Sequence, residues 1–163
     1  GMTNTVMYKN FDFSFMIQGV QGNDIINGDA YYSENKRFNE NFAKNQWVSD
    51  TQPGDGRTPN ARAGGMDWML TDYVIEDGSY IALRNISLGY KLPSKSSNKL
   101  GVKSLRFYGT VQNLLYIMAS GYRGINPEYK YTSDTYSSPF IDGYQRGSFP
   151  LQRTFTVGLE LTF

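Results

Sequence analysis

The last eleven residues, RTFTVGLELTF (153–163), alternate between apolar side chains and polar or small ones. The apolar members are Phe155, Val157, Leu159, Leu161 and Phe163. Because successive side chains of a β-strand point to opposite faces, this period of two predicts a strand with one apolar and one polar face. Such a strand needs different surroundings on its two sides, which restricts the chain to sheet architectures.

Three other segments show the same period. They are residues 10–19 (NFDFSFMIQG), 79–92 (SYIALRNISLGYKL) and 104–117 (SLRFYGTVQNLLYI). In the second of these the alternation changes phase near Arg84 and Asn85, which predicts a β-bulge there. Arg84, Arg106 and Arg153 are predicted to line the polar face. The four segments predict an all-β, antiparallel fold.

The connections between these strands differ in length. Residues 92–103 form a short polar turn, with Pro93 ending the preceding strand. Residues 20–78 and 118–152 are long and rich in Gly, Asn, Asp, Ser and Tyr. Within the first of them, residues 31–47 predict a short helix with Phe38, Phe42 and Trp47 on one face. Glu76 and Asp77 are predicted to lie in a turn before the second strand.

Composition excludes several function classes. The chain has no Cys and no His, which removes disulfides, thiolate nucleophiles, the common zinc sites and Ser-His-Asp triads. With a net charge of +1, the chain lacks the large excess of Lys and Arg that is typical of nucleic-acid-binding proteins. No carboxylate pair with a supporting motif is present. We therefore predict no enzyme activity, no cofactor and no metal.

Long and short connections in alternation are typical of a transmembrane β-barrel, whose strands are joined by short periplasmic turns and long extracellular loops. A soluble antiparallel sandwich with one wet face per sheet produces the same strand pattern. The terminal Phe163 favours the barrel, because the final strand of a barrel pairs with the first, whereas the ends of soluble chains usually fray.

Six segments of the chain carry recognisable motifs. They are FDFSFMIQGVQGNDIIN (11–27), NQWVSDTQPGDGRTPNAR (45–62), IEDGSYIALRNISLGYKLP (75–93), LGVKSLRFYGTVQNLLYI (100–117), GYRGINPE (121–128) and FPLQRTFTVGLELTF (149–163). In this order, and over almost the whole chain, they resemble SusC/RagA-type TonB-linked outer-membrane proteins. Each is similar to a segment near the C-terminus of proteins in that family. The alternate apolar residues from Phe155 to Phe163 also resemble the signal that the barrel-assembly machinery recognises.

This resemblance implies an importer of glycan oligomers or peptides in the bacterial outer membrane of Bacteroidetes. It further implies a SusD-like lipoprotein as an extracellular lid and energy from TonB. Residues 1–163 would be a single C-terminal barrel segment without the plug and N-terminal regions. Four strands cannot close a wall of about 22 strands, so we expect the segment to be inactive in transport alone.

In water, the segment must bury a row of apolar side chains that would face lipid in a barrel. The row consists of Phe11, Phe13, Phe15, Phe107, Phe155 and Leu159. We expect either a homo-oligomer or a small sandwich or barrel-like fold with these residues inside.

Aromatic residues in the two long connections are the candidate ligand or partner contacts. They are Tyr129, Tyr131, Tyr136, Phe140, Tyr144, Trp47 and Trp68. Packing within the loop, or an aromatic girdle at the membrane interface, explains the same residues. The alternative function is a soluble β-domain that binds a carbohydrate or a partner protein through these Tyr-rich loops.

Overall fold

The computed structural model describes residues 1–29, 40–60, 71–129 and 143–163, with no side-chain detail for residues 40 and 41. The chain divides into two compact units. Unit 1 comprises residues 1–20, 80–117 and 151–163, and unit 2 comprises residues 21–79 and 118–150. No helix in the described ranges is long and apolar enough to cross a membrane. The prediction of a single C-terminal barrel domain stays a prediction.

The described residues include eight strands and two α-helices, and Gly28 and Asp29 are also helical. The strands are β1 (Met2–Tyr8), β2 (Phe11–Val20), β3 (Asp24–Asn27), β4 (Ile75–Asp77), β5 (Tyr80–Lys91), β6 (Ser104–Met118), β7 (Tyr144–Gln145) and β8 (Thr154–Thr162). The helices are α1 (Glu40–Asn45) and α2 (Ser94–Lys99), and a 3₁₀ turn spans Asp72–Val74. The all-β class predicted from the alternation is confirmed.

Unit 1 is a five-stranded sheet with the order β1-β2-β5-β6-β8. The pairs β1/β2, β2/β5 and β6/β8 are antiparallel. The four predicted strands are β2, β5, β6 and β8, with ends within two residues of those predicted. The predicted bulge is confirmed: Met16 pairs with Asn85 and Ile17 with Leu83, so Arg84 is the additional residue on β5.

Two parts of the sheet differ from the sequence prediction. Strand β1 was not predicted, and it pairs with β2 from Met2 opposite Ile17 to Tyr8 opposite Phe11. The connection between β5 and β6 is also more than a polar turn, since it contains α2. Pro93 precedes this helix, consistent with a fixed φ that suits a helix start and a missing N–H that ends the strand.

Unit 2 contains a small sheet with the order β4-β3-β7. Strands β3 and β4 are antiparallel, whereas β3 and β7 are parallel over two residue pairs. Its core includes Ile25, Phe42, Tyr73 and Val74, with the Phe42 and Tyr73 rings 6.3 Å apart edge to face. Of the helix predicted over residues 31–47, residues 40–45 form α1 and Trp47 lies beyond its end, whereas residues 31–39, with Phe38, lie outside the described residues.

The apolar row of unit 1 is not enclosed by its own chain. Phe155 is 70 % exposed and Val157 is 91 % exposed, and Phe11, Phe107 and Leu159 are each about half exposed. Among the described residues the five-stranded sheet does not close into a barrel. The expected sandwich or barrel with these residues inside is therefore not the arrangement of a single copy.

Candidate functional site

The two faces of the five-stranded sheet differ in chemistry. Residues opposite each other in an antiparallel pair project to the same face. The register therefore places Phe13 with Leu88, and Phe107 with Leu159, on one side, which we call the apolar face. It places Asp12 with Gly89, and Arg106 with Glu160, on the other side, which we call the polar face.

An ion pair crosses three strands on the polar face. Arg106 on β6 donates from Nη2 to Asp12 Oδ2 on β2 at 2.6 Å and from Nε to Oδ1 at 3.0 Å. Arg106 Nη1 also lies 3.5 Å from Glu160 Oε2 on β8. The pair passes over Gly89 of the intervening strand, where a Cβ would lie 2.5 Å from Arg106 Nη2 and 2.6 Å from Asp12 Oδ2. Only glycine leaves room for this bridge.

A second polar cluster forms around the bulge in β5. Arg84 donates from Nε to Gln18 Oε1 at 3.1 Å and from Nη1 to Asn113 Oδ1 at 3.2 Å. The same Nη1 donates to the Tyr116 hydroxyl, and the Arg84 guanidinium lies over the Tyr116 ring. Asn113 has a φ of 53°, in the left-handed region that Asn tolerates. The predicted placement of Arg84 and Arg106 on the polar face is confirmed.

The apolar face carries the residues of the predicted barrel-assembly signal. They are Phe155, Val157, Leu159, Leu161 and Phe163, all exposed. The register places Phe155 beside Val111 and Leu161 beside Leu105, so the row on β8 continues across β6. A contiguous exposed apolar surface of this kind marks a site of contact with another protein, a ligand or a membrane.

A buried carboxylate organises unit 2. Glu76 Oε1 accepts from Arg123 Nε at 2.6 Å and from Asn27 Nδ2 at 2.8 Å, and Glu76 Oε2 accepts from the Arg123 backbone N–H at 2.9 Å. The Glu76 side chain is 3 % exposed. Arg123 Nη2 donates to the Tyr73 carbonyl, and its guanidinium lies over the Tyr73 ring. The predicted turn location of Glu76 and Asp77 is wrong, because both residues lie in β4, with the Glu76 side chain directed inward.

Asp77 and Asp55 each stabilise local backbone. Hydrogen bonds from the Ser79 hydroxyl and then from the Ser79 backbone N–H hold the pKa of Asp77 below its usual value, and the backbone N–H donates to Asp77 Oδ1 at 2.8 Å. Asp55 accepts from the Thr58 and Arg57 N–H groups and from the Thr58 hydroxyl, which likewise lowers the pKa of Asp55. These side chains, with Arg57 and Arg123, line a polar cleft of about 310 Å³.

Tyr122 makes unit 2 sensitive to alkaline pH. Its hydroxyl donates to Gln145 Oε1 at 2.8 Å, and burial raises the pKa of Tyr122 to about 12 from 10.0. A raised phenol pKa contributes stability that is complete below pH 10 and lost as pH rises through 12. We expect the unfolding free energy of unit 2 to fall by on the order of 2 kcal/mol over this window. Denaturant titrations at successive pH values would measure it, and Tyr122→Phe should flatten the slope; an equal slope in that variant would assign the loss to other groups.

The structure describes three of the seven aromatic candidate residues. Trp47 follows α1 and is 42 % exposed, and its backbone N–H donates to the Thr58 carbonyl. Tyr144 lies in β7 opposite Ile26, and the N–H of Tyr129 donates to the Asn126 carbonyl. The other four candidates lie outside the described residues: Trp68, Tyr131, Tyr136 and Phe140. Ligand or partner contact by these aromatic residues stays a prediction.

The described residues include no group of three or more His, Cys, Asp or Glu side chains that could hold a metal ion. Sequence reasoning missed two arrangements, the buried Glu76–Arg123 pair and the Asp12–Arg106 bridge over Gly89. A glycine inside a strand was the one local signal for the bridge, since such a glycine often marks close approach by another group.

Comparison with known proteins gives a consistent picture. No protein-family model matches the chain. The TonB-dependent receptor P26 of Formosa agariphila is 38 % identical over 168 residues, and the TonB-dependent receptor SusC of Bacteroides thetaiotaomicron is 32 % identical over 169 residues. Each match covers 100 % of this chain and 16 % or 15 % of the relative, respectively. The chain thus spans about one sixth of the length of the curated relatives it matches.

Solved structures show the same fold. The structure of the RagAB peptide transporter matches with a TM-score of 0.72 at 21 % identity, covering 99 % of this chain and 17 % of that chain. The RagAB peptide importer in its 'closed-closed' state matches with a TM-score of 0.71 at 20 % identity, covering 99 % of this chain and 16 % of that chain.

Proposed function

The chain is homologous over its whole length to SusC/RagA-type TonB-dependent receptors of the bacterial outer membrane, and from this premise we propose that it forms part of the barrel wall of a nutrient importer. The five-stranded sheet of unit 1 would be that part of the wall. Its apolar face would meet lipid, and its polar face would meet the water-filled or plugged interior, where charge is tolerated. Residues 1–163 would constitute one C-terminal barrel segment of the parent protein.

The single observation that supports this proposal most is the contrast between the two faces. The polar face holds Asp12 and Arg106 in a bidentate ion pair, whereas the apolar face exposes Phe155 and Val157. In water, each Val, Leu or Phe side chain left exposed forfeits roughly 1.5–3 kcal/mol of burial free energy. Lipid removes this cost, and the strands are about as long as a tilted membrane strand requires.

The parent protein would import glycan oligomers or peptides, using energy from TonB and a SusD-like lipoprotein as its lid. The names of the relatives support TonB dependence, and the RagAB peptide transporter shares the fold. The chain alone would be inactive in transport, because five strands do not enclose a channel. The β8 row that ends at Phe163 would serve as the barrel-assembly signal.

Neighbouring residues on β8 offer a direct test of the membrane orientation. Thr156 and Val157 project to opposite faces, and both are exposed in the single chain. The chain contains no Cys, so single cysteines can be introduced without background. In membranes that contain the protein, we expect Thr156→Cys to react with a water-soluble maleimide and Val157→Cys to react at least about tenfold more slowly, because lipid excludes the charged reagent.

Denaturant supplies the control, since both cysteines should then react at the same rate. Equal rates in the folded protein in membranes would contradict a lipid-facing apolar side. The soluble alternative, binding through the Tyr-rich loops, predicts a chain that stays dispersed without detergent. Light scattering on a sizing column in detergent-free buffer separates the two, because a membrane-wall segment should form a homo-oligomer or aggregate through its apolar face and disperse in detergent.

A further inference from the structure

Charge divides unevenly between the two units. Unit 1 contains eight Lys or Arg residues and two Asp or Glu residues, whereas unit 2 contains eight and thirteen. The net charge of the whole chain is only +1, but unit 1 by itself is strongly basic. Both carboxylates of unit 1, Asp12 and Glu160, lie against Arg106 on the polar face. The remaining positive charge of unit 1 has no carboxylate within the unit to balance it.

Most of this charge lies at one end of the sheet. We call the group the lysine rim: Lys9, Lys91, Lys95, Lys99 and Lys103. Lys9 occupies the two-residue turn between β1 and β2, Lys91 ends β5, two lysines belong to α2, and Lys103 precedes β6. The backbone joins these parts, since the Lys91 N–H donates to the Asn10 carbonyl and the Lys103 N–H donates to the Thr162 carbonyl.

The ammonium groups of the lysine rim face solvent. All five lysines are exposed, and in the described ranges no carboxylate forms an ion pair with any of them. Lys9 also has a φ of 53°, a conformation that glycine or asparagine adopts more easily. Arg106 already engages both side-chain carboxylates of unit 1, Asp12 and Glu160, so the five cations at this end of the sheet are free to attract an anionic partner.

An aromatic band borders the lysine rim on the apolar face. It consists of Tyr8, Phe11 and Tyr90, which the register places together at this end of β1, β2 and β5. The Phe11 and Tyr90 rings lie 4.7 Å apart, and Lys9 Nζ lies 5.3 Å from the centre of the Tyr8 ring. Aromatic rings beside basic residues are typical of the level where a membrane protein meets lipid headgroups.

The lengths of the connections indicate which leaflet this end would meet. At the lysine rim, β1 and β2 are joined by two residues, and β5 and β6 by residues 92–103. At their other ends, β2 and β5 are joined by residues 21–79, and β6 and β8 by residues 119–153. Outer-membrane barrels have short turns on the periplasmic side and long loops outside. The rim would therefore lie at the periplasmic leaflet.

We propose that the lysine rim binds the phosphate groups of anionic phospholipid headgroups in that leaflet. This inference rests on the proposed function, since it requires the apolar face to lie in the membrane. Each lysine contributes a compact positive charge that suits a phosphodiester without demanding one fixed geometry. The aromatic band sets the depth of the sheet, and the lysines then lie at headgroup level on the leaflet surface.

Vesicle flotation tests the proposal with the full chain, diluted from neutral detergent onto lipid. One vesicle type is pure phosphatidylcholine, and in the other about one third of the lipid is phosphatidylglycerol. The test variant is Lys95→Gln with Lys99→Gln, both on α2 and outside the strand pairing. Its matched control is Arg153→Gln, an exposed cation beside the opposite end of β8.

We expect the double variant to bind the anionic vesicles about 25-fold more weakly at low salt, since each lysine near the surface is worth about fivefold. The control should bind within about twofold of the original chain, and high salt should remove the difference. Equal binding of the double variant and the original chain to anionic vesicles would overturn the proposal while leaving the barrel-wall function intact, provided both still float with phosphatidylcholine.

Two further outcomes would also overturn it. Flotation with neither vesicle type would refute the membrane-wall function, and the lipid proposal with it. Displacement from anionic vesicles by inorganic phosphate at a matched phosphate concentration would assign the lysine rim to free phosphate rather than to a lipid surface.

Discussion

Replacing Glu76 with alanine is expected to lower the unfolding free energy of unit 2 by about 3 kcal/mol, the lower end of the range for removing one partner of a buried ion pair. The Glu76 side chain is 3 % exposed and accepts three hydrogen bonds, two of them from Arg123. Its loss removes the carboxylate that accepts from Arg123 Nε, from the Arg123 backbone N–H and from Asn27 Nδ2, while the bond from Arg123 Nη2 to the Tyr73 carbonyl remains. We expect a loss at the lower end of the range for buried ion pairs because the Arg123 side chain is 30 % exposed, so water partly solvates its charge.

Denaturant unfolding followed by tryptophan fluorescence would measure the effect, since Trp47 belongs to the same unit. The matched control is Asp24→Ala, an exposed carboxylate on β3, which should change the free energy by less than about 0.5 kcal/mol. Glu76→Gln keeps two acceptor lone pairs but loses the charge, and it should lie between the two. A loss below about 1 kcal/mol for Glu76→Ala would show that the pair does not hold unit 2 together.

Regular alternation made the strands of unit 1 predictable. In β2, β5, β6 and β8 apolar side chains on one face alternate with polar or small side chains on the other, so the sequence repeats with the period of the strand itself. The bulge was equally visible, since the apolar positions of β5 change phase around Arg84. Strand β1 was not predicted because each face of MTNTVMY combines apolar and polar side chains, with Asn4 on the apolar side and Met7 on the polar side, and because its pairing depends on β2.

The contacts within the sites could not be predicted in the same way. Asp12 and Arg106 are 94 positions apart, and Glu76 and Arg123 are 47 apart. No local period relates residues at such distances, and only the tertiary fold brings them together. The strands of unit 2 could not be predicted either, because β3, β4 and β7 are two to four residues long, which is too short for a recognisable alternation. The aromatic candidates of the long connections stay predictions.

Replacing Gly89 with alanine is expected to lower the stability of the five-stranded sheet by about 1–3 kcal/mol, the usual cost of inserting a methyl group where there is no space. The new Cβ would lie 2.5 Å from Arg106 Nη2 and 2.6 Å from Asp12 Oδ2. Side chains can move aside, but only by separating the bidentate pair that links β2 to β6 across β5. Thermal unfolding of the chain in detergent, followed by the β-sheet circular dichroism signal, would measure the change.

Gly109→Ala provides the matched control on β6, because a Cβ there would meet nothing closer than the Thr156 carbonyl oxygen at 3.9 Å. That variant should be neutral or slightly stabilising, since alanine loses less backbone entropy than glycine on folding. The decisive comparison uses a chain with Asp12→Ser and Arg106→Ser, in which Gly89→Ala should cost less than about 0.5 kcal/mol because nothing lies over the glycine. An unchanged cost in that background would mean that Gly89 is required by the backbone of β5 and not by the ion pair above it. The expected result would instead establish that a single missing side chain allows a charged bridge to tie three strands together on the polar face.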